Sequence, residues 1–238
     1  MRLKDKDVII GIPGWKTGEN SFGVTLPYLE FFSDYGIVKI LTLSEKVDKS
    51  VDLLVIPGGA DIDPRRYGAI PSFKTSKPDL IKEYFDTNIL PKYIENGTPV
   101  FGICRGLQSI AVMYGAQLIQ HITHHETNEI ADRSAGVHNL ILIHNDFKER
   151  FKRECLSGKE PILKVNSMHH QCVSSVGIPE CLDILGVSKG KSSSSSIEVI
   201  RHSELPIAAV QYHPEEMGFE LVSDYLIQNL ISKSKNYE

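Results

Sequence analysis

The chain has 238 residues, 41% hydrophobic and 24% charged, with a formal net charge of −4. This length accommodates one large α/β domain over residues 1–238, with a core that needs no disulfide or metal to hold it. The slight acidic balance argues against nucleic acid as a partner, and no stretch reaches the roughly 18 apolar residues of a membrane-spanning helix.

In chain order, short β-branched runs recur at 7–13, 37–43, 52–59 and 98–104. Between them, Phe22 to Tyr35 and Pro78 to Glu95 carry apolar residues at helical spacing. Strands alternating with helices predict parallel βαβ units, and unbroken apolar strands predict a sheet covered on both faces. From about 117 the texture changes to short strands joined by polar turns, at 117–122, 138–143, 162–167, 182–187, 197–202 and 207–213. These predict antiparallel additions at the sheet edge. From Glu215 to about Ile231, apolar residues at Phe219, Val222, Leu226 and Leu230 predict a closing amphipathic helix.

The segment "KGKSSSSSIE", Lys189 to Glu198, with serines at 192–196, is too polar to bury and predicts a loop. Within it, "GVSKGKS" at 186–192 has the wrong glycine spacing for a phosphate loop, and it feeds a strand rather than a helix N-terminus. The apolar run near the start is too short for a signal peptide, and the four cysteines (Cys104, Cys155, Cys172, Cys181) form no CxxC pair. Free thiols and a cytoplasmic location are expected.

Three stretches carry chemistry. In "GICRG", residues 102–106, a cysteine sits between two glycines where a strand gives way to a helix, the cysteine counterpart of the G-x-S-x-G elbow. A helix beginning at Arg105 would set positive dipole beside the sulfur and favour the thiolate. On this motif alone, Cys104 reads equally as a nucleophile or as a packed core thiol. In "QYHPE", residues 211–215, Pro214 disfavours helical backbone at His213, and an extended chain would put His213 and Glu215 on one side. That pair reads as base and orienter, or as a surface histidine beside a helix-capping glutamate. In "PGGADIDP", residues 57–64, Gly58 and Gly59 would let backbone N–H groups approach a bound carbonyl, as an oxyanion hole requires. The plainer reading is a turn capped by Asp61 and Asp63. In "HITHH", with His121, His124 and His125, His121 and His125 would share a face only on a helix, the run reads as extended, and no Asp, Cys or third spaced His completes a set, so no metal site is expected.

Taken together and in this order, "PGGADIDPRRYG" (57–68), "GICRGLQ" (102–108), "NSMHHQ" (166–171) and "QYHPE" (211–215) resemble class I glutamine amidotransferases. The resemblance is closer to their γ-glutamyl hydrolase and γ-glutamyl-γ-aminobutyrate hydrolase branch, the peptidase C26-like proteins. Weaker echoes are "GAQLIQHI" (115–122) and Glu198. The resemblance implies a three-layer α/β fold of flavodoxin-like type, a mostly parallel central sheet flanked by helices, with a small antiparallel addition. It implies Cys104 as nucleophile, His213 as base and Glu215 as its orienter. It also implies an oxyanion hole from the backbone N–H of Arg105 and one of Gly58 or Gly59. Gln108, Ser167 and His170 match positions that line the glutamyl pocket. No metal or cofactor is implied.

The expected reaction is hydrolysis of a γ-glutamyl amide through a thioester, releasing glutamate and an amine or ammonia. The alternative is a glutaminase subunit supplying ammonia to a separate synthetase chain. Glutamine or another small γ-glutamyl compound is the expected ligand, and the oligomeric state, a homodimer included, is left open. The chain departs from the family pattern in "SDYGIVKIL", which lacks an Ala-Gly-Gly, and in the serine-rich insertion before Glu198. Both bear on the leaving-group side, because loops set specificity on a shared scaffold.

Overall fold

The computed structural model describes residues 8–123, 132–154, 163–189, 195–218 and 220–234. The first half runs β1 (Ile9–Pro13), β2 (Trp15–Gly18), β3 (Ser21–Gly23), α1 (Leu26–Ser33), β4 (Ile37–Leu41) and β5 (Leu53–Ile56). It continues with α2 (Leu80–Tyr84), α3 (Leu90–Glu95), β6 (Val100–Ile103), α4 (Arg105–Met113) and β7 (Leu118–Ile119). The second half runs β8 (His138–Leu142), α5 (Asn145–Glu154), β9 (Leu163–Val165), β10 (Cys172–Val173), β11 (Leu182–Lys189) and β12 (Ser195–His202). It ends with β13 (Ile207–Val210), α6 (Pro214–Met217) and α7 (Leu221–Ser234).

Nine strands form one sheet in the order β4-β1-β5-β6-β13-β12-β11-β8-β9. From β4 to β13 the pairings are parallel, with Leu54 opposite Val100 and Ile103 opposite Val210. Beyond β13 they are antiparallel. Every residue of β5, β6 and β13 is buried, as strands covered on both faces require. Alternate side chains feed two cores. Ile10, Leu53, Val55 and Phe101 pack with Phe31, Phe147 and Leu226 from α1, α5 and α7. Leu54, Ile56 and Val100 pack with Phe85, Leu90 and Leu107 from the α2–α4 side. The result is the expected three layers, with β2–β3 and β7–β10 as small antiparallel pairs. No helix among the described residues is long and apolar enough to cross a membrane.

Four elements differ from the sequence reading, each for a local reason. Phe22 belongs to β3, and the first helix starts only at Leu26, with proline in its first turn. The second helical stretch starts where Asp79 accepts the Ile81 N–H (2.9 Å), and it widens into a π-helical turn over Phe85–Ile89 before α3. The closing helix is two pieces, α6 and α7, separated at Gly218, whose φ is 76°. Helix α5, missed in the sequence, buries Phe147 and Phe151 one turn apart. Cys155, Phe219, His124, His125 and Ser192 to Ser194 lie outside the described residues, while Ser195 and Ser196 open β12.

Candidate active site

The site forms at the carboxyl ends of β5, β6 and β13, the edge where open α/β sheets bind ligands. Cys104 directly follows β6 and caps α4 with φ 53° and ψ −106°, the one positive φ among the described non-glycine residues. Such a backbone costs of order 1–3 kcal/mol and persists only where surroundings impose it. Here the impositions are close packing and a hydrogen bond from the Cys104 N–H to the Val210 carbonyl (2.7 Å). A Cβ on Gly102 would lie 2.8 Å from the Gly106 carbonyl carbon, and one on Gly106 would overlap the Ile56 carbonyl oxygen. The two glycines flanking Cys104 are therefore what lets α4 sit against both strands.

His213 caps α6, and Pro214 occupies the first turn of that helix. Its Nδ1 lies 2.6 Å from Glu215 Oε1, with both side chains buried. The pair forms by a different route from the one the sequence implied. The strand stops at Val210, and Glu215 reaches back from the first helical turn rather than across an extended chain. Burial alone would depress the His213 pKa; the charge of Glu215, with the Cys104 sulfur as second partner, instead raises it well above imidazole's ordinary value. Gly58 lies beside both groups: a Cβ there would sit 2.7 Å from His213 Cε1 and 3.5 Å from Cys104 Cβ.

The two glycines after β5 have unequal roles. The Gly58 N–H donates to the Tyr28 hydroxyl (2.9 Å), whereas the Gly59 N–H donates to no group among the described residues. The Arg105 N–H belongs to the first turn of α4 beside Cys104. The Arg105 side chain, 1% exposed, turns away and ion-pairs with Glu83 (2.5 Å) and Asp86. Asp86, on the π-helical turn, also accepts from the Ser109 hydroxyl at 2.7 Å. Asp63 caps a 3-10 turn over Pro64–Tyr67, as the plain reading of that loop has it.

The expected pocket residues are less uniform. The Gln108 amide nitrogen donates to the Gln171 carbonyl (3.0 Å) and to Gln211 Oε1 (3.1 Å), so this end of the side chain knits α4 to its neighbours. Ser167 is buried beside Asn166. His170 places Nε2 at 3.1 Å from Asp61 Oδ2 and Nδ1 at 3.4 Å from His121 Nδ1, tying the loop after β5 to the segment after β7. Among the described residues no group of three His, Cys, Asp or Glu side chains is arranged to hold a metal.

Sequence reasoning missed three residues that shape the site. The Asn166 amide brackets His213: its Oδ1 accepts the His213 N–H (2.8 Å) and its Nδ2 donates to the His213 carbonyl (2.9 Å). Tyr28, from α1, holds the Gly58 N–H and lies against the Glu215 carboxylate; burial, then that charge, pushes its pKa well above the usual phenol. Lys82, from α2, is buried and donates to the Gly58 carbonyl at 2.7 Å. Asn166 falls inside a quoted motif, whereas nothing in the spacing around Tyr28 or Lys82 marks them.

The peptidase C26 family model matches residues 38–215. The YvdE protein of Lactococcus lactis, described as glutamine amidotransferase-like, is 28% identical over 194 residues, covering 79% of this chain and 78% of that one. Anthranilate synthase component 2 of Pseudomonas aeruginosa is 28% identical over 137 residues, 55% of this chain and 59% of that one. Among solved structures, the glutaminase domain of Trypanosoma brucei CTPS, with bound acivicin, superposes with a TM-score of 0.62 at 14% identity, covering 95% and 94% of the two chains. The chain therefore belongs to the peptidase C26 family, within the class I glutamine amidotransferases.

Proposed function

We propose that this protein hydrolyses γ-glutamyl amides, with Cys104 as nucleophile, His213 as base, Glu215 as the group that orients it, and the backbone N–H groups of Arg105 and Gly59 as oxyanion donors. The observation that carries the reading is the His213 ring. It stands 2.6 Å from a buried carboxylate, has the Cys104 sulfur as its other partner, and lies beside the Gly58–Gly59 turn. The raised pKa makes His213 the acceptor for the thiol proton, and the thiolate formed by that transfer is the nucleophile.

The steps follow from these groups. The Cys104 thiolate attacks the γ-carbonyl carbon, and the oxyanion forms between the two N–H donors. The tetrahedral adduct collapses as the C–N bond breaks, and the His213 imidazolium gives its proton to the departing amine. A water, deprotonated by the now neutral His213, attacks the thioester carbonyl; the C–S bond breaks, glutamate leaves, and the thiolate–imidazolium pair is restored. No redox partner enters the balance. Gln108, Ser167 and His170 are proposed to line the glutamyl side.

A second reading has one observation in its favour, the likeness to a relative named as a component of a synthase. It makes the protein a glutaminase subunit whose ammonia passes to a partner chain. Glutamate release by the isolated protein from glutamine and from substituted γ-glutamyl amides separates the two. Rapid turnover of the substituted amides with no partner supports the stand-alone hydrolase. Negligible turnover until a partner chain is added would overturn it in favour of the subunit.

A further inference from the structure

Lys82 has no part in the steps above, yet it is a lysine with 7% exposure within the shell of the site. Its Nζ donates to the Gly58 carbonyl at 2.7 Å. The same residue is held at its other side, where the Gly58 N–H donates to Tyr28. Both gripping side chains meet one indole: Lys82 Nζ stands 3.9 Å from the Trp15 ring centroid, and the Tyr28 ring packs edge-on to Trp15 at 5.7 Å. The lysine stem closes the other face of the turn, since a Cβ on Gly59 would lie 2.8 Å from Lys82 Cδ and Cε.

The consequence lies in the peptide between Gly58 and Gly59. In a trans peptide the carbonyl and the following N–H point in opposite directions. The peptide is trans, as no cis bond occurs among the described residues. A donor fixed on the Gly58 carbonyl therefore fixes the Gly59 N–H to point away from Lys82, and that N–H donates to no group among the described residues. A two-glycine turn has no side chains to restrain it, so without this hold the peptide plane is free to rotate. An oxyanion donor acts only if aimed before the charge develops.

We infer that Lys82 is the positioning residue of the oxyanion turn, holding the Gly58 carbonyl so that the Gly59 N–H is aimed at the developing oxyanion. The inference rests on the proposed role of Cys104 and extends it to a residue that never touches substrate. Burial, then Arg105 beside it, brings the Lys82 pKa down to about 7, with Asp86, Asp79 and Cys104 opposing. Charged or neutral, Nζ keeps an N–H for the Gly58 carbonyl, so the hold is a buried hydrogen bond with little solvent around it.

The test is Lys82→Met, which keeps the stem and removes the donor, with Lys82→Gln as a second variant that keeps a donor without the charge. Steady-state kinetics on a chromogenic γ-glutamyl anilide are read beside the rate at which iodoacetamide alkylates Cys104, a reaction that builds no oxyanion. Lys82→Met is expected to lose about 10- to 100-fold in kcat with KM changed less than threefold and alkylation at the wild-type rate. Lys82→Gln should fall between the two. A kcat within threefold of wild type in both variants would overturn the inference. So would a parallel loss of kcat, KM and alkylation, which marks a general structural role. Full activity in Cys104→Ala would instead sink the proposed nucleophile, so the two failures are distinguishable.

Discussion

Replacing Gly58 by alanine probes the site with one added methyl group. Gly58 is not among the positive-φ glycines, so the backbone tolerates a side chain and the perturbation is purely steric. The new Cβ would lie 2.7 Å from His213 Cε1, 3.2 Å from the Tyr28 hydroxyl and 3.5 Å from Cys104 Cβ. Carbon atoms in ordinary contact stand about 3.5–4.0 Å apart, so the imidazole must retreat by about 1 Å from its place between Glu215 and the thiol. A displacement of that size at a reacting group costs on the order of 100-fold, equivalent to about 2.7 kcal/mol of transition-state stabilisation. Initial rates of anilide release from a γ-glutamyl anilide give kcat/KM, and a thermal melt confirms the fold. Gly23→Ala is the control, since a Cβ there meets nothing within 4 Å. A folded Gly58→Ala protein keeping more than a third of the wild-type kcat/KM would refute the placement of His213 against Gly58.

Two further expectations concern charge. Arg105→Met removes the more buried of the two cations, Arg105 and Arg66, that pair with Glu83 and Asp86. Breaking a buried ion pair from one side costs about 3–5 kcal/mol, and the remaining Arg66 sets the loss toward the lower end, read as a lower urea midpoint; a loss under about 1 kcal/mol would contradict the network's role. For Glu215→Gln the sign follows from His213, whose folded pKa is raised, with Glu215 the principal charge raising it. Its stabilisation is complete below the unfolded value of about 6.5 and is lost as pH rises through the folded pKa. The wild type should therefore exceed Glu215→Gln in stability most at pH 6 and by progressively less toward pH 9, and a constant difference across that range would count against the pair.

How much of this was legible in the sequence depends on how local the determinant is. The parallel core showed itself because β5 and β6 are unbroken apolar runs bounded by glycine and proline, a pattern that burial on both faces imposes. The elbow was visible for a similar reason: Gly102 and Gly106 are demanded by backbone contacts a few residues away in chain or one strand over. The His213–Glu215 pair was found by the right spacing and the wrong conformation, since Pro214 suits both an extended residue before it and the first turn of a helix. The break at Gly218 and the π-helical turn at Phe85 hide inside periodic patterns because an irregular turn leaves the apolar rhythm nearly intact. Lys82 was illegible. Its burial depends on Trp15, Gly58 and Arg105 arriving from three other segments, and a lysine on a short helix otherwise reads as solvated surface.

The central claim is that glutamate release passes through a thioester on Cys104. The most direct measurement is intact-protein mass spectrometry after rapid acid quench with a γ-glutamyl anilide, on wild type and Cys104→Ala, alongside glutamate release. The wild type should carry one glutamyl group, mapped by peptide digestion to Cys104, and Cys104→Ala should carry none and release glutamate at least about 1,000-fold more slowly. Glutamate release by Cys104→Ala at a rate near that of the wild type, or a glutamyl group mapped to another residue, would contradict it.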